Sequence, residues 1–584
     1  MHRESIVRIL RETGDLLEIQ EANPFRVRAY HNAARAMEGL TGEPQEMLED
    51  GSLAEVPGIG AGLVAAIAEI LQTGRLTLHD ELRRQFPPGL LDLFRVPGLG
   101  AKRIRILHRE LGIGSPGELE RAAREGKVAA LAGFGARSQE KILSGLEALG
   151  RYDERHLVDH ARHQALRLLE HLRRHPAVRR AEIAGSLRRW CETIGDLDFV
   201  AAVSGAKRIE VAAHFATAPG CEEVVASGET KVALRLAGGF EADLRMVEAD
   251  EFATALHHFT GSKEHNIALR TRARHDGLTV NEYGLFRGEE RLDCPDEASI
   301  YRHLGLAFIE PEMREGLDEI ERAAAGPLPS LIEDGDLRGT FHVHSTWSDG
   351  TASLEGMARA AAALGWEYLG IADHSRSAAY AGGMSVEQVR EQWAEIDAWN
   401  ARGEAPWLFK GIESDILVDG ALDYPDELLL DFDFVVASVH SRFRLPREEM
   451  TARIVRAVRH PCTTFLGHPT GRLLLAREGY EVDLDAVLDA ADEAGVIVEL
   501  NANPHRLDLD WRVLRARLPR NMRTSIHPDA HSLQGLEDVL WGVHAARKAG
   551  ARAVDVLNCE PLSKVREHFA GRRARARRLL AGDR

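Results

Sequence analysis

The chain has 584 residues, 44% hydrophobic and 28% charged. This is an ordinary globular composition, with material for several cores; it excludes a peptide hormone, a disulfide-stapled miniprotein and a wholly disordered chain. The 74 Lys and Arg against 91 Asp and Glu leave a formal net charge of −17, which does not advertise nucleic acid but does not exclude it, since binding needs a local basic patch and not a basic total. The five Cys are scattered with no C-x-x-C, which argues against disulfides and thiolate zinc sites and fits a reducing cytoplasm. The N-terminal stretch MHRESIVRIL has no apolar core of a signal peptide. No apolar run approaches the roughly 18 residues of a membrane span, so no membrane partner is expected.

Residues 1–150 read as short helices broken by Gly turns. VPGIGAGLVAAIAEIL (56–71) and VPGLGAKRIRILHREL (96–111) share one form, and LAGFGARSQEKIL (131–143) is a weaker third copy. Paired glycines let backbone come close to a ligand, and the helix that follows offers free N–H groups to a phosphate. A single copy would be an ordinary helix–helix turn; repetition favours a helix-hairpin-helix that grips a DNA backbone. Its candidate contacts are Gly58, Gly60, Gly98, Gly100 and Lys102.

A helix is expected over 151–175, followed by strands at 179–186, 195–203, 223–229, 231–237 and 240–247. In GDLDFV, Asp196 and Asp198 share a strand face while Leu197 and Phe199 point into a core. Asp243, in FEADLRMV, is placed to lie on a neighbouring strand. Three converging carboxylates call for divalent cations with oxygen ligands, Mg²⁺ or Mn²⁺, and two such ions suit phosphoryl transfer. Upstream, Gly185-Ser186 offers a turn for a triphosphate, and Arg188 and Arg189 supply positive charge.

Residues 248–320 return to helices and loops. The Pro-, Gly- and acid-containing stretch 323–339 reads as an interdomain linker. From 340 onward strand and helix alternate, with helices expected near 352–364, 385–402, 447–459 and 482–494. Over roughly 250 residues this predicts a parallel β/α barrel. Nine candidate ligands lie at or just past the ends of its strands: His342, His344, Asp349, His374, Glu413, His440, His468, Asp529 and His531. One His at a strand end is usually a satisfied core or loop residue; nine at successive ends, on the face where barrel active sites sit, indicate a multinuclear centre for Zn²⁺, Mn²⁺ or Fe²⁺. The tail GRRARARRLLAGDR is basic and reads as a frayed or helical surface segment.

HFTGSKEHNIALRTRARHDGLTVNEYGLF (258–286), together with the GS…DLD segment, resembles the family X DNA polymerases, the group of DNA polymerase beta. Residues 337–584 resemble a PHP (polymerase and histidinol phosphatase) domain, a distorted seven-stranded β/α barrel that holds up to three metal ions. Together they match bacterial family X polymerases with a C-terminal PHP domain. The resemblance implies a multidomain α+β and α/β chain: a helix-hairpin-helix domain (1–88), a fingers-like helix-hairpin-helix region (89–150), a nucleotidyltransferase palm (151–255), a nucleotide-closing subdomain (256–322), a linker (323–338) and the PHP barrel (339–584).

By motif, Asp196, Asp198 and Asp243 match the catalytic metal-binding carboxylates, with Asp243 taking the proton of the primer 3′-OH. Gly185, Ser186, Arg189 and Gly195 match the nucleotide-binding stretch. Asn266 and Arg270 match residues facing the minor groove. In the barrel, the family pattern puts His342, His344, Glu413 and Asp529 on one ion, bridges Glu413 to a second held by His440 and His468, and gives Asp349, His374 and His531 the third. The implied function is repair-type, gap-filling DNA synthesis on gapped or primer-template DNA from deoxynucleoside triphosphates, with 3′→5′ exonuclease activity. Abasic-site cleavage and 3′-phosphate removal stay open, and the expected place is the cytoplasm, on the nucleoid.

Three departures stand out. His258-Phe259 replaces the family's Tyr-Phe, Trp190 replaces the Gly after the paired Arg, and Ala66 occupies the position of the lyase lysine in a stretch, 1–101, without any Lys. Two other readings therefore remain: a DNA-end-processing nuclease whose polymerase module only holds DNA, and a non-catalytic DNA-binding scaffold.

Overall fold

The Gly turns of the first 150 residues repeat one backbone geometry. Ile59 N–H donates to Val56 O, Leu99 N–H to Val96 O and Phe134 N–H to Leu131 O, each at 3.0 Å. The weak third copy thus folds like the other two. Gly58 and Gly133 take left-handed φ of 94° and 85°, which a side chain would resist. Gly60 and Gly100 are extended and open the helices Ala61–Thr73 and Ala101–Leu111. This is a computed structural model that describes residues 3–38, 44–49, 51–56, 58–96, 99–153 and 155–582; Gly98 lies outside them. Two units emerge, 1–153 and 154–584.

The first unit has two apolar clusters. Helices Arg3–Ile19, Pro24–Glu38 and Ala61–Thr73 meet around Leu10, Ile67 and Ile70. Helices Ala101–Leu111 and Pro116–Arg124 meet around Ile104, Leu107 and Leu119. Ala66 is buried in the first cluster, while Ala65 is exposed.

In the second unit the helix expected over 151–175 is broken. One helix ends at Asp153 and another runs Val158–Arg173. Between them β1 (His156–Leu157) pairs antiparallel with β3 (Thr193–Ile194); a helical period on both sides conceals a two-residue strand whose partner lies far along the chain. The remaining strands, β2 (Arg180–Ile183), β4 (Asp196–Ala202), β5 (Cys221–Ser227), β6 (Lys231–Leu236) and β7 (Glu241–Val247), form one sheet in the order β2-β4-β7-β6-β5. Only β4 and β7 pair in parallel. Helices Phe252–Thr260 and Lys263–His275, the small sheet β8 (Thr279–Asn281), β9 (Gly284–Arg287) and β10 (Glu290–Leu292), and helix Glu297–His303 follow.

The stretch expected as a linker is packed, not free. Ile332 is fully buried, its N–H donates to Ala551 O at 3.0 Å, and its carbonyl accepts from Arg547 at 2.8 Å. Pro, Gly and acidic residues there mark irregular backbone, which the barrel covers.

The barrel strands are β11 (Gly339–Val343), β12 (Tyr368–Ile371), β13 (Trp407–Asp415), β14 (Phe434–Ser438), β15 (Phe465–Leu466), β16 (Ile497–Asn501) and β17 (Thr524–His527). All are parallel and in chain order. The ring draws shut where Thr340 Oγ1 donates to Ile526 O and His344 N–H to Ala530 O, both at 2.9 Å. Residues 571–580 of the basic tail lie in helix Leu562–Leu580, which is anchored just before them: Phe569 fits under the barrel, its ring centroid 5.3 Å from Phe341, 5.1 Å from Phe409 and 5.5 Å from Phe434. Among the described residues no single helix is long and apolar enough to cross a membrane.

Phe569→Ala should therefore leave a cavity costing about 3–5 kcal/mol. Gly411→Ala should cost about 1–3 kcal/mol by overpacking, since its Cβ would stand 2.1 Å from Phe434 Cζ. Urea denaturation followed by circular dichroism checks both.

Candidate active sites: a carboxylate triad and a histidine-lined barrel mouth

The parallel register of β4 on β7 sets Asp198 opposite Asp243 and Asp196 opposite Glu241. Leu197, Phe199, Ala242 and Leu244 are buried on the other face, so all three Asp side chains share the open one. Burial first, then the charges of Asp196 and Asp243, push the Asp198 carboxyl up to about 7: the site is short of positive charge, a need that divalent cations meet. Lys231 supplies part of it, its Nζ 2.6 Å from Asp243 Oδ2. Gly185, at φ 60°, makes room for the triad, since a Cβ there would lie 2.1 Å from Asp198 Oδ2.

Gly185 opens the four-residue helix Gly185–Arg188, which carries Ser186 and is followed by Arg189. Gly195 is the single residue between β3 and β4. Arg188 reaches the next subdomain: it donates to Thr260 Oγ1 at 2.7 Å and grips Glu297 with both terminal nitrogens at 3.0 and 2.5 Å. Asn266 and Arg270 stand in one chain of contacts, Arg270 Nε to Asn266 O at 3.1 Å and Asn266 Nδ2 to His258 O at 2.8 Å. The residue that departs from the family pattern, His258, thus sits directly against Asn266.

The barrel mouth gathers the other candidates. Glu413, 1% exposed, lies at the centre. Its Oε1 is 3.1 Å from His342 Nε2, 3.2 Å from His440 Nε2 and 3.0 Å from His468 Nε2; its Oε2 is 2.9 Å from His374 Nδ1 and 3.7 Å from His344 Nε2. Asp529 Oδ1 lies 3.3 Å from His344 Nε2 and 3.6 Å from His342 Nε2. Asp349 Oδ1 lies 3.3 Å from His531 Nε2 and 3.5 Å from His374 Nε2. Possible ligand groups are His342, His344 and Glu413; His342, His468 and Asp529; His374, Glu413 and His440; and His344, Asp349, His374 and His531. His468 thus stands with Asp529, and His344 and His374 each belong to two groups.

The donor set fits metal ions. Buried His342 Nε2, both nitrogens of His344, His374 Nδ1, Glu413 Oε2 and His468 Nδ1 lack any hydrogen-bond partner, and buried polar atoms are rarely left so. Burial, with the charges of His531 and His374, lowers His344 to about 3, so its imidazole is neutral and its lone pair free. Burial opposes protonation of His440 and His531 too, but Glu413 and Asp415 raise the first to about 10, and Asp349 and Asp529 raise the second to about 9. The carboxylates thus hold positive charge in the mouth, the demand a bound cation answers. His342, His468 and Asp529 have positive φ of 59°, 23° and 52°, a local backbone cost that clusters at functional sites.

Sequence reasoning missed the residues that aim these ligands. Glu499 takes His342 Nδ1 at 2.6 Å and His527 Nδ1 at 2.9 Å, and its other oxygen accepts from His468 N–H at 3.1 Å. Asp415 takes His440 Nδ1 at 2.7 Å. The opposite ring nitrogens of His342 and His440 are left facing Glu413. Glu499 stands on β16, so the strand-end rule could have found it. The His342, Glu499 and His527 group is hydrogen-bonded within itself, since His527 Nε2 also meets Ser525 Oγ at 2.8 Å.

Family models match four segments: a helix-hairpin-helix domain over residues 1–76, a SAM-like helix-hairpin-helix tandem over 90–148, a DNA polymerase beta thumb over 255–315 and a PHP domain over 340–503. The chain is 39% identical over 569 residues to the DNA polymerase/3'-5' exonuclease PolX of Bacillus subtilis (strain 168), covering 97% of this chain and 99% of that protein. It is 32% identical over 98 residues to a probable phosphatase of Caldanaerobacter subterraneus subsp. tengcongensis, 16% of this chain and 36% of the relative. To DNA polymerase IV of Saccharomyces cerevisiae it is 38% identical over 65 residues, 11% of each chain.

Glu499→Gln should weaken metal affinity at the barrel mouth by about 10–100-fold, the usual effect of losing a group that orients a ligand; metal titration by calorimetry reads it. Gly185→Ala should displace the Asp198 carboxylate and lower primer extension while metal uptake by the barrel is unchanged.

Proposed function

The chain belongs to the family of the bacterial DNA polymerase/3'-5' exonuclease PolX, and on that premise we propose how its two sites divide the work. It is a DNA-directed DNA polymerase and a phosphodiester hydrolase. The observation that carries the polymerase reading is the Asp198–Asp243 register on a shared open face.

Asp196, Asp198 and Asp243 hold two Mg²⁺ or Mn²⁺ ions, which when bound neutralise the triphosphate and stabilise the oxygens of an in-line displacement. Asp243 takes the proton of the primer 3′-OH, and Lys231 keeps its carboxylate turned toward the site. Ser186 and Arg189 receive the triphosphate, with Gly185 and Gly195 giving the backbone room. Asn266 and Arg270 face the minor groove of the nascent pair. The helix-hairpin-helix turns, through Gly58, Gly60, Gly98, Gly100 and Lys102, track the phosphates of gapped or primer-template DNA.

In the barrel, His342, His344, Asp349, His374, Glu413, His440, His468, Asp529 and His531 hold up to three Zn²⁺, Mn²⁺ or Fe²⁺ ions, which when bound activate water and polarise the phosphodiester. Glu499 and Asp415 fix the imidazoles. The domain divisions at 88, 150, 255, 322 and 338 follow from the same reading, as does action on chromosomal DNA in the cytoplasm.

Asp198→Asn should abolish primer extension and spare 3′ shortening, since the barrel has its own ligands. The His344→Ala/Asp529→Ala double variant should do the reverse, with lower metal content. Extension by Asp198→Asn at the normal rate would remove the palm assignment. The helix after Gly58 and Gly60 carries no Lys, so an amine-dependent lyase has no nucleophile there. Borohydride trapping of isolated residues 1–90 on an incised abasic site should therefore give no strong adduct.

A further inference from the structure

The segment that follows the triphosphate turn is anchored in the barrel domain. Trp190, at φ 52°, stacks on His544 with ring centroids 3.4 Å apart and planes 5° from parallel. Arg162 covers the indole, its Cζ 4.1 Å from the ring centroid. One residue back, the Arg189 carbonyl accepts from Lys548 Nζ at 3.0 Å. Lys548, only 2% exposed, also donates to Glu312 O at 3.3 Å and pairs with the Glu315 carboxylate. Glu315 in turn accepts from Arg189 Nε at 3.1 Å. One residue on from Trp190, Cys191 Sγ lies 3.9 Å from Lys548 Nζ, and two residues on Glu192 is held by Arg472 and Arg512. Consecutive residues 189–192 are thus tied to barrel-domain side chains, and the turn's own bond from Cys191 N–H to Ser186 O, at 3.0 Å, carries that restraint to Ser186.

The physical argument is one of pre-organisation. A Gly at position 190 would adopt this φ freely but would leave the turn without an anchor. Trp190 accepts the strained backbone, offset by an aromatic stack and a cation–π contact. Lys548 spends its three ammonium hydrogens on Arg189 O, Glu312 O and Glu315. None of these barrel-domain groups belongs to the metal cluster, so the exonuclease chemistry does not account for them.

We propose that the barrel domain positions the triphosphate-binding turn of the polymerase, with His544 and Lys548 as positioning residues. Nucleotide affinity then depends on a domain that touches no nucleotide. This rests on the reading that Ser186 and Arg189 receive the triphosphate.

The test is single-nucleotide gap filling by the full chain, with dNTP titrated, alongside 3′ shortening without dNTP. Lys548→Met should raise KM for dNTP about tenfold and leave kcat within about threefold, the pattern of lost ground-state positioning. Shortening should be unchanged. His544→Ala should raise KM in the same direction, and His544→Phe, which keeps the stack, should restore it. Equal KM for wild type, Lys548→Met and His544→Ala would overturn the proposal. If Lys548→Met loses extension and shortening together, through misfolding, the His544 pair decides: equal KM for Ala and Phe overturns it, and rescue by Phe supports it. Arg189→Ala separates the two readings, because a normal KM in that variant removes the triphosphate assignment itself, whatever the barrel variants do.

Discussion

A single buried carboxylate organises the larger half of this protein. Glu413 has almost no contact with solvent and five imidazoles around it. An isolated carboxylate in such a place is very costly, so it must be matched by positive charge and oriented donors. Those donors come from four different segments of the barrel, beginning with His342 and His344 at the end of β11 and ending with His468 beyond β15. The ring has to draw nearly closed for them to meet, and Phe569 fills its lower end. Packing and site are therefore one problem: a barrel that failed to close would leave Glu413 unpaired.

The palm meets a milder version of the same demand. Its triad is partly open to water, and its charge is concentrated by sheet register. Sliding β7 by one residue would send Asp243 into the core and Leu244 to the surface. That register is stabilised by the apolar face, where Leu197, Phe199, Ala242 and Leu244 pack. The close approach of Gly185 to Asp198 packs the turn at 185–188 directly against β4, with no room for a side chain between them.

Synthesis and removal of the same bond are opposed reactions held in one chain. The contacts between their domains are not a loose tether. The residues after Ser186 run directly into the barrel's outer helices, and the segment 323–338 is partly buried against the same helices. On the other side, Arg188 locks to Glu297, which also pairs with buried Arg314. Both neighbouring Arg side chains thus reach Thr260 and a Glu of the 255–315 segment, Glu297 for Arg188 and Glu315 for Arg189, while the Arg189 carbonyl meets the barrel's Lys548.

Much of this was legible in residue order, because strands and helices write their period into the chain and metal chemistry needs particular side chains. Asp-x-Asp in an alternating strand, His-x-His opening a β/α series and the repeated Gly turns each carry chemistry within a few residues. Seven barrel strands and the four helices expected between them fall within a few residues of expectation for the same reason; the helices Trp511–Arg517 and Val539–Ala549 are not among those expected. What only the tertiary structure decided are matters of distant partners. The two-residue strand β1 exists because of Thr193–Ile194, and the stretch 323–338 is ordered because the barrel covers it. Glu499 and Asp415 matter because of which imidazole nitrogen they occupy. Trp190, read from the sequence as a departure from a Gly, has its meaning in His544, more than 300 residues away. A local pattern can state what a residue is able to do; which group it does it with is set by packing across the whole chain, and no spacing in the sequence records that.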